Sequence, residues 1–286
     1  MTAEADSVAN WVLPQVHQTA AGVARYMISG RGPPLVLVHG TPWSSFSWHR
    51  VVSRLAERFT VHLYDLPGYG RSEMRDGQDV SLSMQGLTLA EMIQHWGLSR
   101  PLVAGHDFGG AIALRAHLLG KIDFAALALL NAVALAPWGS PFFAHVRKHT
   151  EAFESVPPYI HKAVLEAYIK GAMTGRIADS DFAALVAPWL TEAGQSAFYR
   201  QIAQADQKFT DEIEPLYRSI RCPSLVIWGA DDPWIPLATG QQLHDAIPGS
   251  QLRTVAGVGH LVQLEAPDEV AGYLLDFYAA NRARTS

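Results

Sequence analysis

Short runs of consecutive apolar residues alternate along this chain with longer segments in which apolar residues recur at helical spacing. The short runs are typical of strands buried on both faces, and those of the first half span residues 35–38, 60–64, 101–104 and 125–130. Helices are predicted between them over residues 47–57, 81–96 and 109–119, with Ser81 as the cap of the second. Regular alternation of this kind predicts a parallel sheet with helices on both faces.

The pattern also predicts how the sheet begins and ends. Residues 16–19 and 24–29 flank an Ala-Gly pair and predict an opening antiparallel pair of strands. Strands are predicted again over residues 224–228 and 252–255, and a last helix over 267–280.

Between Pro137 and Ile220 the pattern changes, because this stretch contains only helical segments that prolines interrupt. A helical insertion between two parts of one sheet is most simply a lid over that sheet. We therefore predict an α/β core formed by residues 1–136 and 221–286, with a helical cap over 137–220.

Composition excludes several classes of protein. Of the 286 residues 49% are hydrophobic and only 17% are charged, which excludes a disordered chain. The net charge is −5 and no basic block occurs, which argues against nucleic-acid binding. The single cysteine, Cys222, excludes an internal disulfide and a cysteine-clustered metal site. No histidine pair has a familiar metal-ligand spacing, so we expect no metal. We also expect a small-molecule substrate and no cofactor.

Location is predicted from what the chain does not contain. Its start, Met1 to Asp6, is acidic where a signal peptide would be basic, and no apolar segment follows it. The most apolar stretch, residues 124–138, is interrupted by Asn131 and is too short to span a bilayer. We expect a cytoplasmic protein that does not bind membranes, and the sequence leaves open whether it is a monomer or a homodimer.

The turn after the 101–104 strand carries the clearest chemical signal. It reads Gly105-His106-Asp107-Phe108-Gly109-Gly110, with small residues two positions on either side of Asp107. A strand that passes into a helix through one sharp turn needs such small residues, and the turn pushes its apex side chain into the open at the carboxyl edge of the sheet. The pattern is that of a nucleophile elbow with aspartate in place of serine. The bland alternative is an aspartate that only caps the following helix.

Two further strand ends supply the partners that such a nucleophile needs. Asp231 and Asp232 follow the 224–228 strand, and His260 follows the 252–255 strand. The order nucleophile, acid, histidine is the one used by hydrolases with a nucleophile elbow. Because the carboxyl ends of parallel strands lie at one edge of a sheet, the three side chains are expected to meet there.

With these motifs the whole chain resembles the α/β-hydrolase family, and within it the aspartate-nucleophile branch of epoxide hydrolases and of haloalkane and haloacetate dehalogenases. His39-Gly40-Thr41-Pro42 resembles the family's oxyanion loop, and the segment from Asp65 to Ser72 resembles the loop after its next strand. The resemblance implies an α/β-hydrolase fold, a mostly parallel twisted sheet flanked by helices with an inserted helical cap. It also implies that the amides of Thr41 and Phe108 form an oxyanion hole.

The resemblance favours one orienting acid. Some dehalogenases place that acid after the strand before the lid, where this chain has Asn131, which carries no charge. The family spacing after the next strand favours Asp232 over its neighbour Asp231, with an uncertainty of one residue in register.

An aspartate nucleophile implies two steps, since a carboxylate is ionised at pH 7 and needs no base to attack. Asp107 would displace a leaving group from saturated carbon to form an alkyl-enzyme ester, and His260 would then activate water. Expelling an alkoxide from an epoxide needs a proton donor, and the resemblance of Phe198-Tyr199-Arg200 to an epoxide-hydrolase segment suggests Tyr199. Tyr159 and Tyr168 are candidates for a second lid tyrosine, and Trp43 is a candidate for the pocket wall.

Departures from the dehalogenase pattern make an epoxide-hydrolase-like enzyme the leading interpretation. Haloalkane dehalogenases typically have tryptophan after the nucleophile and asparagine in the oxyanion loop, where this chain has Phe108 and Thr41. Haloacetate dehalogenases follow the nucleophile with arginine, which is also missing here. A neutral apolar substrate is therefore expected. Carbon–halogen hydrolysis is the alternative, and a hydrolase-fold ligand-binding protein without useful turnover is the second.

Overall fold

Eight strands form one sheet in the computed structural model, which describes residues 11–175 and 177–281. The strands are β1 (Gln15–Thr19), β2 (Gly22–Gly30), β3 (Pro34–Val38), β4 (Thr60–Asp65), β5 (Leu102–His106), β6 (Ala126–Leu130), β7 (Ser224–Gly229) and β8 (Gln251–Val255). Their spatial order is β1-β2-β4-β3-β5-β6-β7-β8. β2 pairs antiparallel with both β1 and β4, and every other pairing is parallel. The predicted α/β-hydrolase fold is confirmed.

The central strands are the apolar runs of the sequence. Every residue of β5 and of β6 is buried, because helices cover both faces of the sheet at this point. Full burial of a Leu or Val side chain contributes about 1.5–3 kcal/mol, so these strands stabilise the sheet that carries the loops at its edge.

Helices pack on both faces of the sheet. The core helices are α1 (His49–Ala56), α2 (Leu82–His95), α3 (Phe108–Leu118), α10 (Leu237–Ala246), α11 (Val262–Glu265) and α12 (Pro267–Asn281). α1 and α12 pack together on one face, and α2 and α3 pack together on the other. The sequence pattern did not predict α10, since only Gly240 and Leu243 of this helix are buried and they make no clear period.

Between β6 and β7 the described residues form helices and turns and no strand. These helices are α4 (Pro141–Lys148), α5 (Thr150–Glu154), α6 (Pro158–Lys170), α7 (Asp179–Val186), α8 (Glu192–Ala203) and α9 (Lys208–Asp211), with 3₁₀ turns at Ala187–Leu190 and Glu214–Ser219. We call residues 137–220 the lid, and their division from the core as a domain stays a prediction.

Two sequence features led to the prediction about location, and the structure describes only one of them. Among the described residues, no helix has the length and apolar character needed to cross a bilayer. The acidic start from Met1 to Asp6 lies outside the described residues.

Candidate active site

A strained turn presents Asp107 at the carboxyl edge of the sheet. β5 ends at His106, α3 begins at Phe108, and Asp107 between them has φ 54° and ψ −123°, a conformation that non-glycine residues rarely adopt. Three backbone hydrogen bonds hold it, one from its N–H to the carbonyl of Leu130 and two to its own carbonyl from the N–H groups of Gly110 and Val133. The predicted elbow is therefore the observed local geometry.

The turn depends on close backbone contacts at two glycines. A Cβ on Gly109 would lie 2.2 Å from the carbonyl oxygen of Val38, and a Cβ on Gly40 would lie 2.3 Å from Oδ1 of Asp107. Side chains at these positions would collide with the neighbouring strand or with the carboxylate itself, which explains why the elbow and the loop after β3 carry glycine.

The two carboxylate oxygens of Asp107 have different surroundings. Oδ1 accepts a hydrogen bond of 2.7 Å from the backbone N–H of Thr41, and Oδ2 lies 3.1 Å from Nε2 of His260. Phe108 is the first residue of α3, so its N–H has no partner within the helix. The side chain of Asp107 is almost fully buried.

His260 lies between two carboxylates, because its Nδ1 is 2.8 Å from Oδ2 of Asp232. The other oxygen of Asp232, Oδ1, accepts the backbone N–H groups of Trp234 and Ile235. Asp231 is exposed, whereas Asp232 is buried against the imidazole. The structure thus brings Asp107, Asp232 and His260 together, and the carboxylate that contacts the imidazole is that of Asp232 and not that of Asp231.

The charges of the carboxylates dominate the protonation of this cluster. Burial alone would lower the pKa of His260, but the charge of Asp232 and hydrogen bonds to Asp107 and Asp232 raise that pKa to about 10. Burial likewise opposes ionisation of Asp232, yet the charge and hydrogen bond of His260 hold the Asp232 pKa below its usual value. The raised pKa of His260 favours the imidazolium at neutral pH, and both carboxylates contribute to this effect.

Two buried neighbours fix this cluster in place. Asn131, at the end of β6, donates from Nδ2 to Oδ2 of Asp232 at 2.7 Å and accepts the N–H of Gly229 at 3.1 Å. His106 donates from Nε2 to the carbonyl of His260 at 2.9 Å, and burial with the nearby charge of His260 lowers the pKa of His106 to about 3. The sequence did not predict this role of Asn131. A polar amide directly after an apolar strand was the feature that could have indicated it.

A cavity of about 260 Å³ opens above Asp107 between the core and the lid. Its wall is mostly aromatic and aliphatic, and among the described residues Asp107 is the only charged one that lines it. The lining residues are Thr41, Asp107, Phe108, Val133, Trp138, Gly139, Ser140, Pro141, Phe143, Tyr168, Pro233, Trp234 and Ile235.

Tyr168 is the predicted lid tyrosine that the structure brings to the cavity. Its ring stacks on Trp234 with centroids 4.6 Å apart. Burial, with the nearby charge of Asp107, raises the pKa of Tyr168 well above its ordinary value, so the phenol keeps its proton. Among the described residues, no hydrogen-bond partner of its hydroxyl is found.

The structure does not bring the other three predicted residues to the cavity wall. Tyr199 is buried, and its hydroxyl lies 3.0 Å from Nδ1 of His161 inside the lid. Tyr159 is 73% exposed on the outside of α6. Trp43 is buried and stacks on Trp234, which itself forms the wall in front of it. None of these three side chains therefore lines the cavity as predicted. Which aromatic ring faces the cavity depends on how α6 and α8 are rotated and on the path of the loop after β7.

The comparisons with known proteins agree with this architecture. A model of the Alpha/beta hydrolase family matches residues 35–273. The chain belongs to the alpha/beta hydrolase family. A solved alpha/beta hydrolase fold protein from Burkholderia ambifaria is 45% identical with a TM-score of 0.90, over 93% of this chain and 98% of that one.

Other proteins that resemble the chain at lower identity are named for different activities. A 2-hydroxy-6-oxo-2,4-heptadienoate hydrolase of Pseudomonas putida is 28% identical over 88% of this chain and 91% of its own. Haloalkane dehalogenase 2 of Mycobacterium tuberculosis is 24% identical over 90% and 92%. The solved epoxide hydrolase CorEH, at 21% identity and a TM-score of 0.73 over 93% and 98%, shares the fold.

The described residues contain no cluster of potential metal ligands. No three His, Cys, Asp or Glu side chains among residues 11–175 and 177–281 come together in a way that could hold an ion.

Proposed function

We propose that this hydrolase opens epoxides of neutral apolar small molecules through an ester on Asp107. The observation that carries the proposal is the orientation of the Asp107 carboxylate, with Oδ1 on the Thr41 amide and Oδ2 beside His260. A carboxylate in the place of the serine hydroxyl needs no base for its attack. The amides then stabilise charge on Oδ1 when water adds to the ester.

In the first step Oδ2 of Asp107 forms a bond to an epoxide carbon, and the carbon–oxygen bond of the ring breaks. The leaving oxygen takes a proton from the hydroxyl of Tyr168. Once Asp107 is an ester, one of the two charges that hold His260 as an imidazolium is gone, so the pKa of His260 falls. The proton that it releases restores Tyr168.

In the second step neutral His260 takes a proton from water, and the hydroxide adds to the ester carbon of Asp107. The resulting oxyanion on Oδ1 is stabilised by the N–H groups of Thr41 and Phe108. Collapse breaks the bond between the ester carbon and Oδ2, the diol leaves with the proton of the new carboxylic acid, and His260 is again an imidazolium.

The hydrogen bonds that the cavity hydroxyls make, or leave unmade, favour epoxide opening over halide displacement. The hydroxyl of Thr41 donates to Oε1 of Gln201, and the hydroxyl oxygen of Ser140 accepts the N–H of Phe143. The hydroxyl of Tyr168 makes no hydrogen bond among the described residues and can donate to a leaving oxygen. The indole N–H of Trp138, which could otherwise hold a halide, donates to Thr210 at 2.7 Å.

The test is to incubate the protein with styrene oxide and, separately, with 1-bromobutane, measuring diol and bromide. Diol from styrene oxide that is lost in Asp107→Asn and strongly reduced in Tyr168→Phe supports the proposal. Bromide release without diol formation would instead assign a haloalkane dehalogenase. Ligand-induced thermal stabilisation that survives Asp107→Ala, with neither product formed, would assign a binding protein.

A further inference from the structure

One buried side chain of the lid reaches the loop that supplies the Thr41 amide. Gln201, on α8, accepts through Oε1 a hydrogen bond of 2.5 Å from the hydroxyl of Thr41. The hydroxyl of Tyr69 lies 3.5 Å from the same oxygen. Gln201 is 2% exposed, and its Nε2 is buried without a hydrogen-bond partner among the described residues. An unsatisfied buried amide costs stability, so its presence here calls for an explanation.

The neighbouring residue of the same loop is also held by the lid. The indole N–H of Trp189 donates to the carbonyl oxygen of Pro42 at 2.8 Å. Thr41 is thus tied through its side chain to α8, and the following carbonyl is tied to the turn before α8. Between these contacts the N–H of Thr41 points at Oδ1 of Asp107.

We propose that Gln201 is a positioning residue through which the lid holds the Thr41 amide in the oxyanion hole. Gln201 is not in the cavity wall and acts only through the hydroxyl of Thr41. The inference rests on the proposed ester mechanism, because only there does negative charge develop on Oδ1 late in the reaction.

The two chemical steps should depend on Gln201 differently. Ester formation removes charge from Oδ1, so a misplaced Thr41 amide does not slow it. Ester hydrolysis builds charge on Oδ1 and does need the amide. A slower second step lowers kcat and KM by the same factor and leaves kcat/KM unchanged.

The chain supplies a control at the C-terminal end of the same helix, in the residue that follows Ala203. Gln204, one turn after Gln201, also bonds from the lid to the core, accepting the N–H of Val80 and donating to the carbonyl of Gln78. Neither of these hydrogen bonds involves Thr41, so Gln204 reports the effect of loosening the end of α8 alone.

The kinetic test uses styrene oxide with Gln201→Met, Thr41→Val and Gln204→Met. Gln201→Met should lower kcat roughly tenfold, less than the about 10²-fold cost of deleting an oxyanion donor. Its kcat/KM should stay within about twofold of wild type, since the first step is preserved. Thr41→Val should repeat this effect, the double variant should lose nothing more, and Gln204→Met should match wild type. An unchanged kcat in Gln201→Met, or a loss that appears in kcat/KM, overturns the inference.

A second measurement needs no substrate. In protein labelled with nitrogen-15 threonine, the Thr41 amide is identified by its disappearance in Thr41→Val. Its proton is hydrogen-bonded to the Asp107 carboxylate, so its resonance should shift upfield in Gln201→Met and stay unchanged in Gln204→Met. An unmoved resonance in Gln201→Met overturns the inference even if kcat falls. Turnover that survives Asp107→Asn would instead overturn the ester mechanism, so the two failures are distinguishable.

Discussion

Nε2 of His260 lies 3.1 Å from Oδ2 of Asp107, so the proposed base and the proposed nucleophile are in direct contact before any substrate is bound. The other ring nitrogen, Nδ1, lies 2.8 Å from a carboxylate oxygen of Asp232. A histidine in this position cannot act as a base while it is an imidazolium. Formation of the ester would itself change that, because it removes the negative charge next to Nε2.

The first prediction concerns the titration of His260. Its pKa is raised from 6.5 to about 10, so its contacts stabilise the fold fully below pH 6.5, and this contribution is lost as the pH rises through about 10. In Asp107→Asn the pKa of His260 should fall, because one of its two charged neighbours is removed. Histidine proton resonances followed across this pH range measure it. An unchanged titration in Asp107→Asn would contradict the assigned contact.

The second prediction is that the ester can be trapped. His260→Gln should form the adduct with styrene oxide and fail to hydrolyse it, giving a mass increase of one substrate on the peptide that contains Asp107. In the wild type, turnover in water enriched in heavy oxygen should place the label in the same peptide, since water attacks the carboxyl carbon. Label that appears only in the diol would show that water attacks the substrate directly.

The cluster of Asp107, Asp232 and His260 was predictable because each residue follows a strand of a parallel sheet. Strands of this kind end at one edge, so chain order and strand ends suffice to bring the three side chains together. The elbow was predictable for a similar reason, since its glycines are needed by the backbone alone.

The lid residues could not be assigned in this way. Tyr199 and Gln201 are two residues apart on α8, which turns about 100° per residue, so they face opposite sides. Both are buried, and so are Ala197, Phe198 and Ile202, so hydrophobicity does not tell which face of α8 meets the core. Helix rotation against the sheet decides it, and that follows from packing between residues far apart in the chain.

The third prediction follows from this difference. Tyr199→Phe removes only a hydrogen bond to His161, so we expect a loss of about 1 kcal/mol in stability and turnover close to wild type. Tyr168→Phe removes the proposed acid and should lower kcat by about 10²-fold, in the range of general acid catalysis. Diol formation from styrene oxide measures both. The reverse ranking would restore Tyr199 as the donor.

The fourth prediction concerns Asn131, which bonds to Oδ2 of Asp232 and to the N–H of Gly229. Asn131→Leu leaves that N–H without its acceptor and removes a donor from the carboxylate, so stability should fall by about 2–3 kcal/mol. Asn131→Asp is nearly the same size but places a second carboxylate beside Asp232, which should raise the pKa of one of the pair. Urea unfolding at neutral pH measures the losses, and equal stability of all three proteins would contradict the role given to Asn131.

The last prediction concerns how the lid is attached to the core. Asp181, on α7, is buried and accepts hydrogen bonds through Oδ2 from Arg50 of α1, at 2.8 Å from Nε, while His49 lies 3.3 Å from Oδ1. Asp181→Asn removes the charge and should cost roughly 1–3 kcal/mol at pH 7. Asp268, which pairs with Arg54 of the same helix but is 92% exposed, provides the control, and Asp268→Asn should cost less than about 1 kcal/mol.

The pH dependence of this attachment has a definite sign. Burial opposes ionisation of Asp181, but the hydrogen bond and charge of His49 and the charge of Arg50 outweigh it and hold the Asp181 pKa below its usual 3.8. A depressed carboxyl pKa stabilises the fold above the usual value and ceases to do so as the pH falls through the depressed one. The difference in unfolding free energy between wild type and Asp181→Asn should therefore shrink as the pH falls below the usual carboxyl value. A difference that stays constant down to acid unfolding would mean that the charge of Asp181 does not hold the lid.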